Sequence, residues 1–277
     1  MSRRALPLLG MIATAAAAAA ALIWAVPFAW MAIASLRPGV PADIAALWPA
    51  PPLGLGNYLD AWQSGDFPTW YLNTVLVCGG ILAVQLITVT MAGYAFARLR
   101  FPGRDAVFVL FLLQLLLVPT LLIAPNLTTI VALGLYDHLP GIMAPYFASA
   151  FGVFLMRQAF RAIPRDFEEA AMLDGAGVFA LVRHVLVPLA RPSLVAFAIV
   201  SVTFHWNEFL WPLMAVSSPS RQVLTVGLAS FASGSEAGGE WGVLAAGTVL
   251  VAGPLLLAFL VFQRRFVSSF VFTGLKG

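Results

Sequence analysis

Between Ala5 and Ala34 the chain carries no charged side chain. A helix needs about 20 apolar residues to cross a bilayer, and this run exceeds that length. A soluble fold has no way to hide such a run in a chain of this size, because apolar runs recur along it. The spacing predicts six transmembrane helices over residues 8–33, 70–97, 106–124, 139–156, 193–216 and 241–262, within a single membrane domain covering 1–277. Composition agrees: 61% of residues are hydrophobic and 10% charged, where soluble domains carry about 25% charged, and the mean hydropathy is +0.93. The expected fold class is an all-α integral membrane protein whose main solvent is the lipid bilayer.

The connections carry the polar residues. Arg3-Arg4 ahead of the first run permits a cleavable signal peptide or an export tag. The run is about twice the usual signal core of roughly 7–15 residues, so a retained span is expected. Leu36 to Pro68 is rich in Pro and Gly and is expected to be an external loop with short irregular structure. Trp70-Tyr71 suit a membrane interface. Pro119 and Pro125 are expected to kink or end the third span, and Asn126 to Tyr136 to form a half-buried external segment. Ser217 to Glu240 is expected to be a loop and Gln263 to Gly277 a basic tail.

Six spans put both termini on one side together with the second and fourth loops. Thirteen of the fifteen Lys and Arg residues fall on that side, leaving Arg37 and Arg221 opposite. The positive-inside rule then makes both termini and the loop 157–191 cytoplasmic. The basic residues are dispersed between apolar runs, which excludes a nucleic-acid surface. Cys78 stands alone, with no disulfide framework and no metal-ligand spacing.

Loop 157–191 holds Glu168-Glu169-Ala170-Ala171-Met172-Leu173-Asp174-Gly175-Ala176-Gly177, then Val185-Leu186-Val187-Pro188. Pro164 can open a helix whose first turns carry Asp166, Glu168 and Glu169, where the helix dipole favours negative charge. Gly175 or Gly177 supplies a left-handed stop. Val178, Leu181, Val182 and Val185 form a second apolar stripe up to Pro188. Each helix spans about 15 Å by helical rise, too short to cross. An amphipathic connector lying on headgroups is one reading. Docking to a partner is favoured, because the small residues Ala170, Ala171, Gly175 and Ala176 allow close backbone approach, whereas surface-lying helices prefer bulky anchors.

This spacing resembles the EAA loop of permease subunits in binding-protein-dependent ABC importers. The stretches Tyr94-Ala95-Phe96-Ala97-Arg98-Leu99-Arg100-Phe101-Pro102-Gly103-Arg104, Trp206-Asn207-Glu208-Phe209-Leu210-Trp211-Pro212-Leu213 and Gln263-Arg264-Arg265-Phe266-Val267 resemble the carbohydrate-uptake, maltose-permease-like branch. Val185 and Val187 stand where isoleucine and leucine are common in that motif, which keeps an apolar face. The resemblance implies the type I ABC importer permease fold in a bacterial cytoplasmic (inner) membrane. It implies a sugar or sugar-like substrate, with glycerol 3-phosphate or a glycerophosphodiester as the alternative. It implies as partners a homologous second permease, two ATP-binding subunits and an extracytoplasmic solute-binding protein, which would meet the outer loops. It also implies an ATPase-coupling set of Glu168, Glu169, Ala170, Ala171, Asp174, Gly175, Ala176 and Pro188.

Glu208 is the one acidic residue within an apolar run. Intramembrane ionisable groups usually face a bundle interior or a wet cavity. Helical spacing would place His205 and Glu208 on one face, with Asn207 about 100° away. His205, Trp206, Asn207, Glu208 and Trp211 therefore form a candidate set that lines a pore or clamps helix packing. No P-loop sequence occurs, so no cofactor is expected in this chain and ATP with Mg would belong to a partner subunit. An ion-coupled secondary transporter would need more than this one cluster and usually shows repeated halves. A membrane-embedded enzyme would need a converging catalytic set that the spans do not supply.

Overall fold

The computed structural model describes residues 5–37, 53–233 and 241–274. The expected basic residues Arg3, Arg4 and Lys276 lie outside them, as do 38–52 and 234–240 of the outer loops. Arg264 and Arg265 are described by backbone alone. The described residues are helical, without strands, and form two compact units. The first comprises Met1–Asp66 with Leu228–Pro254, the second Phe67–Gly227 with Leu255–Gly277. Each is described by itself.

In the first unit, α1 (Ala5–Ser35) carries Pro27 inside it and exposes Leu22, Ile23 and Trp24 at 70–75%. Such an apolar surface suits lipid rather than water. The expected irregular loop after it contains a helix, α2 (Gly56–Ser64). Asn57 explains why: its side-chain amide donates to the carbonyls of Ser35 (3.1 Å) and Arg37 (2.7 Å), taking up groups that the end of α1 leaves unpaired. Ser35 Oγ also meets the Tyr58 hydroxyl at 2.8 Å.

The second unit is built on α3 (Phe67–Arg98) and α7 (Ala150–Ala162). Glycine lets these two helices touch. A Cβ on Gly93 would stand 2.6 Å from Met156 Cβ, and one on Gly152 would meet Val89 and Phe197 at 2.6 Å. The buried cluster there includes Val89, Phe96, Val153, Met156, Phe160 and Phe197.

Several expected spans are broken. The third is α4 (Arg104–Leu113), then a short 3-10 turn, a break before Pro119, and α5 (Ile123–Ala132), bent by 103°. Pro119 cannot continue the preceding helix. Pro125 ends nothing, because it sits in the first turn of α5, where its missing N–H goes unused. The fourth is α6 (Leu139–Met143) and α7, bent by 47°. Ser149 Oγ caps α7 by accepting from Gly152 N at 3.1 Å, and α7 runs past Met156, so Arg157 and Arg161 are helical rather than in a loop. The fifth divides into α11 (Arg191–Trp206) and α12 (Leu210–Ala215). By length and composition, Ala13–Ser35, Phe67–Arg98 and Trp241–Val261 can each cross a membrane, and the number reaches six when each of three bent helix pairs counts as one span, the third of these being Val178–Leu189 with Arg191–Trp206 rather than α11 with α12.

The expected loop Ser217–Glu240 contains α13 (Leu224–Ser233). Its start is capped from α3: Leu224 N donates to Thr74 Oγ1 at 2.9 Å, and Asn73 Nδ2 donates to the carbonyls of Ser220 and Gln222 at 3.0 and 2.8 Å. Gly227 lies under the Trp70 ring, where a Cβ would collide. The last helix, α14 (Trp241–Gly274), replaces the expected tail with helix well past residue 262.

Asp137 joins two turns of the second unit. It adopts φ +58, a left-handed conformation that Asp tolerates by hydrogen-bonding locally. Its carboxylate accepts from Ser217 N and Ser218 N at 2.9 Å each and from Ser218 Oγ at 2.5 Å. Those bonds, the Ser218 hydroxyl first, hold its pKa down at about 2. An unfolded Asp titrates near 3.9, so the clasp contributes fully above about pH 4 and is lost as pH falls through about 2. Asp137→Asn should therefore lower thermal stability in detergent at neutral pH and converge on the parent toward pH 2. Parallel curves for the two proteins would refute this.

Candidate functional site

Loop 157–191 folds as a helical hairpin tied back to the second unit. Helix α8 (Asp166–Leu173) starts from Arg165 after Pro164 and carries Asp166, Glu168 and Glu169 in its first turn. At eight residues it is about 12 Å long. Its end is a Schellman turn. Gly175, at φ +82, donates to Met172 O, and Ala176 N donates to Ala171 O, each at 3.0 Å. Ala171, Gly175 and Ala176 thus hold the positions the turn depends on, a local account of three residues of the expected set.

The second helix begins after Gly177 as α9 (Val178–Leu181), widens to a π turn at Val182–Leu186, and continues through Pro188 as α10 (Val187–Leu189). It was expected to stop at Pro188. The wide turn accommodates the proline: Val187 N bonds five residues back to Val182 O, which relieves the crowding a proline ring imposes on the preceding turn. The chain then turns by 79° into α11.

The two glutamates differ in environment. Glu168 is buried and pairs with Arg98 at the end of α3, Nε to Oε1 2.5 Å, with both side chains 8% exposed. The two atoms make a contact ion pair rather than an aligned hydrogen bond. Arg98 also donates from a terminal nitrogen to Ile163 O at 2.7 Å. Glu169, Ala170, Asp174, Gly175 and Pro188 are exposed, while Ala171 and Ala176 are partly covered.

The loop also presents apolar side chains outward. Leu173 is 89% exposed, Phe179 77%, and Val178, Met172 and Phe167 between 50% and 58%. None was singled out in the sequence for docking. The signal was available, because Leu173, Val178 and Phe179 are large apolar residues beside the glycine turn of a charged loop. A short charged hairpin with this much exposed apolar surface marks an interaction site.

A second polar cluster centres on Gln85, which sequence reasoning missed because a neutral amide in an apolar run draws little notice. Gln85 accepts from Ser201 Oγ at 2.5 Å, donates to Tyr146 O at 2.7 Å and lies 3.5 Å from His205 Nε2. The expected shared face of His205 and Glu208 is corrected: α11 ends at Trp206, and Asn207 closes it by donating to Thr203 O at 2.7 Å. Glu208 lies in the break that follows. It accepts from Trp211 N at 3.5 Å through its carboxylate and from Thr225 Oγ1 at 2.6 Å through its carbonyl. His205 and Glu208 still meet around one small void, lined also by Thr74, Tyr146 and Pro212. Trp206 is half-buried, and Trp211 is buried, its Nε1 donating to Ile142 O at 3.0 Å. No group of three or more His, Cys, Asp or Glu able to hold a metal occurs among the described residues.

Residues 88–270 match the family described as binding-protein-dependent transport system inner membrane component. The chain belongs to this family. The permease is 35% identical over 215 residues to the diacetylchitobiose uptake system permease protein NgcG of Streptomyces coelicolor, covering 77% of this chain and 71% of that one. It is 30% identical over 281 residues to the arabinooligosaccharides transport system permease protein AraQ of Halalkalibacterium halodurans, covering 100% of both. Its fold is similar to a chain in the crystal structure of a bacterial ABC transporter involved in the import of the acidic polysaccharide alginate. The TM-score is 0.85 and the identity 23%, over 96% of this chain and 99% of that one. The matched region of the permease contains both the helical hairpin and the Gln85 cluster's partners, Tyr146 in the turn before α7 and Ser201 and His205 on α11.

Proposed function

We propose that the chain is one half of the translocation path of an ATP-driven importer for a sugar or sugar-like solute, and that the hairpin α8–α10 couples it to a separate ATP-binding subunit. Family membership and the two sugar-uptake relatives support the transport reading. The coupling reading rests on one observation: a hairpin too short to span exposes Leu173, Phe179 and Val178 beside Glu169. A cleft on the ATP-binding subunit would cover these side chains, and Glu169 would meet a basic residue there. The Arg98–Glu168 pair then makes the hairpin a handle on α3, so that closure of the ATP-binding subunits moves the span.

Six crossings with both termini cytoplasmic complete the topology, since thirteen of the fifteen basic residues then lie inside. A homologous second permease would close the path, two ATP-binding subunits would hold ATP and Mg, and an external solute-binding protein would deliver the solute. Glycerol 3-phosphate is the alternative cargo.

Uptake of labelled oligosaccharides and of glycerol 3-phosphate into membrane vesicles, with solute-binding protein added, tests this reading. It should collapse on ATP depletion and ignore ionophores, and the reverse pattern sinks it in favour of an ion-coupled carrier. Glu169→Lys and Gly175→Glu should each leave membrane insertion intact and uncouple uptake from ATP. Gly175 has open space around it, so an added side chain at that site acts through the left-handed backbone and the docking face rather than through a clash inside the chain.

A further inference from the structure

Four arginines gather where the end of α3, the start of α4 and the end of α7 meet, around one carboxylate. Arg104 donates to both oxygens of Asp105, at 3.0 and 3.3 Å, and Arg157 stands 3.8 Å from the same group. Arg157 is fixed from behind: its guanidinium lies 4.0 Å over the Phe108 ring, and its Nε donates to Phe96 O at 3.2 Å. Arg161, one helical turn further along α7, also lies close enough to favour the ionised carboxylate. One negative charge thus serves three guanidinium groups.

Positive charge is left over. Arg161 and Arg100 are both exposed, and neither guanidinium makes a hydrogen bond or ion pair among the described residues. Arg100, Phe101, Pro102, Gly103, Arg104, Asp105 and Ala106 line a concave surface. Beside it α4 turns apolar side chains outward: Val107 is 45%, Val109 57% and Leu110 67% exposed, with Phe101 at 39%. A soluble anion would match the charge but not this apolar flank. A molecule with a negative head and an apolar tail matches both, because guanidinium groups form paired hydrogen bonds to phosphate and basic pockets between membrane helices suit anionic headgroups.

We propose that Arg100, Arg104 and Arg161 hold the phosphate headgroup of an anionic phospholipid at the membrane surface, with its acyl chains along α4. Asp105 keeps Arg104 turned toward the concave surface, and Arg157 supplies fixed charge beneath it. The proposal rests on the topology given above, in which α3 and α4 lie in the bilayer and this corner faces the cytoplasm.

The test uses the whole importer complex, delipidated and offered phosphatidylglycerol or phosphatidylcholine, with bound lipid read by native mass spectrometry. The parent complex should retain phosphatidylglycerol selectively. Arg100→Gln with Arg161→Gln should weaken retention about thirtyfold, the effect of removing two surface arginines at the usual contribution each. Arg161→Gln alone should act in the same direction, and Arg221→Gln should change nothing. Unaltered phosphatidylglycerol retention in the double variant overturns the proposal. So does binding of inorganic phosphate without lipid, which makes this a soluble-anion site. So does loss of the ATP-binding subunit with lipid retention unchanged, which makes it a protein interface. A separate arm addresses the topology: Arg161→Cys in a Cys78→Ala background should resist a membrane-impermeant maleimide applied to intact cells. Labelling from outside would overturn the orientation itself, whatever the lipid result.

Discussion

Phe179→Asp, and separately Leu173→Asp, should release the ATP-binding subunit from the purified importer and abolish solute-stimulated ATP hydrolysis. Both side chains are more than three-quarters exposed within this chain, so neither change removes an internal contact, and insertion and thermal stability of the isolated permease should stay near the parent. Under the proposed coupling, the effect comes from the docked state. Burying a Phe or Leu side chain contributes about 1.5–3 kcal/mol, so truncation to Ala should weaken association roughly 10- to 100-fold. The aspartate variants should exceed this, since an unpaired charge in an apolar contact adds a desolvation cost. Co-purification and ATPase assays check it. An aspartate variant that co-purifies normally and couples normally would remove these residues from the interface.

Glu168→Ala should act on the chain itself. Removing one partner of a buried ion pair leaves the other charge uncompensated, at a cost of roughly 3–5 kcal/mol. Limited proteolysis should then cut between 164 and 177 far faster than in the parent, and uptake should fall even though insertion persists. Two double variants separate charge from attachment. Arg98→Met with Glu168→Leu should recover most of the protease resistance, because an apolar pair tolerates the same burial. Arg98→Glu with Glu168→Arg should recover less, because a glutamate at 98 cannot donate to Ile163 O as Arg98 does at 2.7 Å. Full recovery by the swap, or no cleavage in Glu168→Ala, would mean that the hairpin is held by something else.

What could be read from the chain followed the range of the interactions. The cores of α1, α3 and α14 are long uncharged runs, and their existence needs only hydropathy. The glycine stop at Gly175 is equally local, because a Schellman turn closes within six residues. The breaks were half legible. Pro119 announced one, but nothing in Asn207-Glu208-Phe209 forbids helix, and α11 stops there through Asn207 and through the contact of Thr225 with Glu208 O. Helices α2 and α13 were missed because glycine and serine suggested loop, while their starts are secured by distant partners such as Thr74. Glu168 and Glu169 looked equivalent in sequence. Only the arrival of Arg98 from the end of α3 turns one inward and leaves the other outside. Gln85 is similar, since its meaning depends on Ser201 and the Tyr146 carbonyl.

The Schellman turn and the buried pair together have a kinetic consequence. The hairpin is already shaped before any partner arrives, so association need not wait for a loop to order. Encounter should then proceed at an ordinary protein–protein rate, and substitutions on the hairpin's outer face should shorten the lifetime of the complex more than they slow its formation. Loosening the hairpin from within, as at Glu168 or Gly175, should instead slow the encounter, because only a fraction of molecules would present the docking shape at any moment.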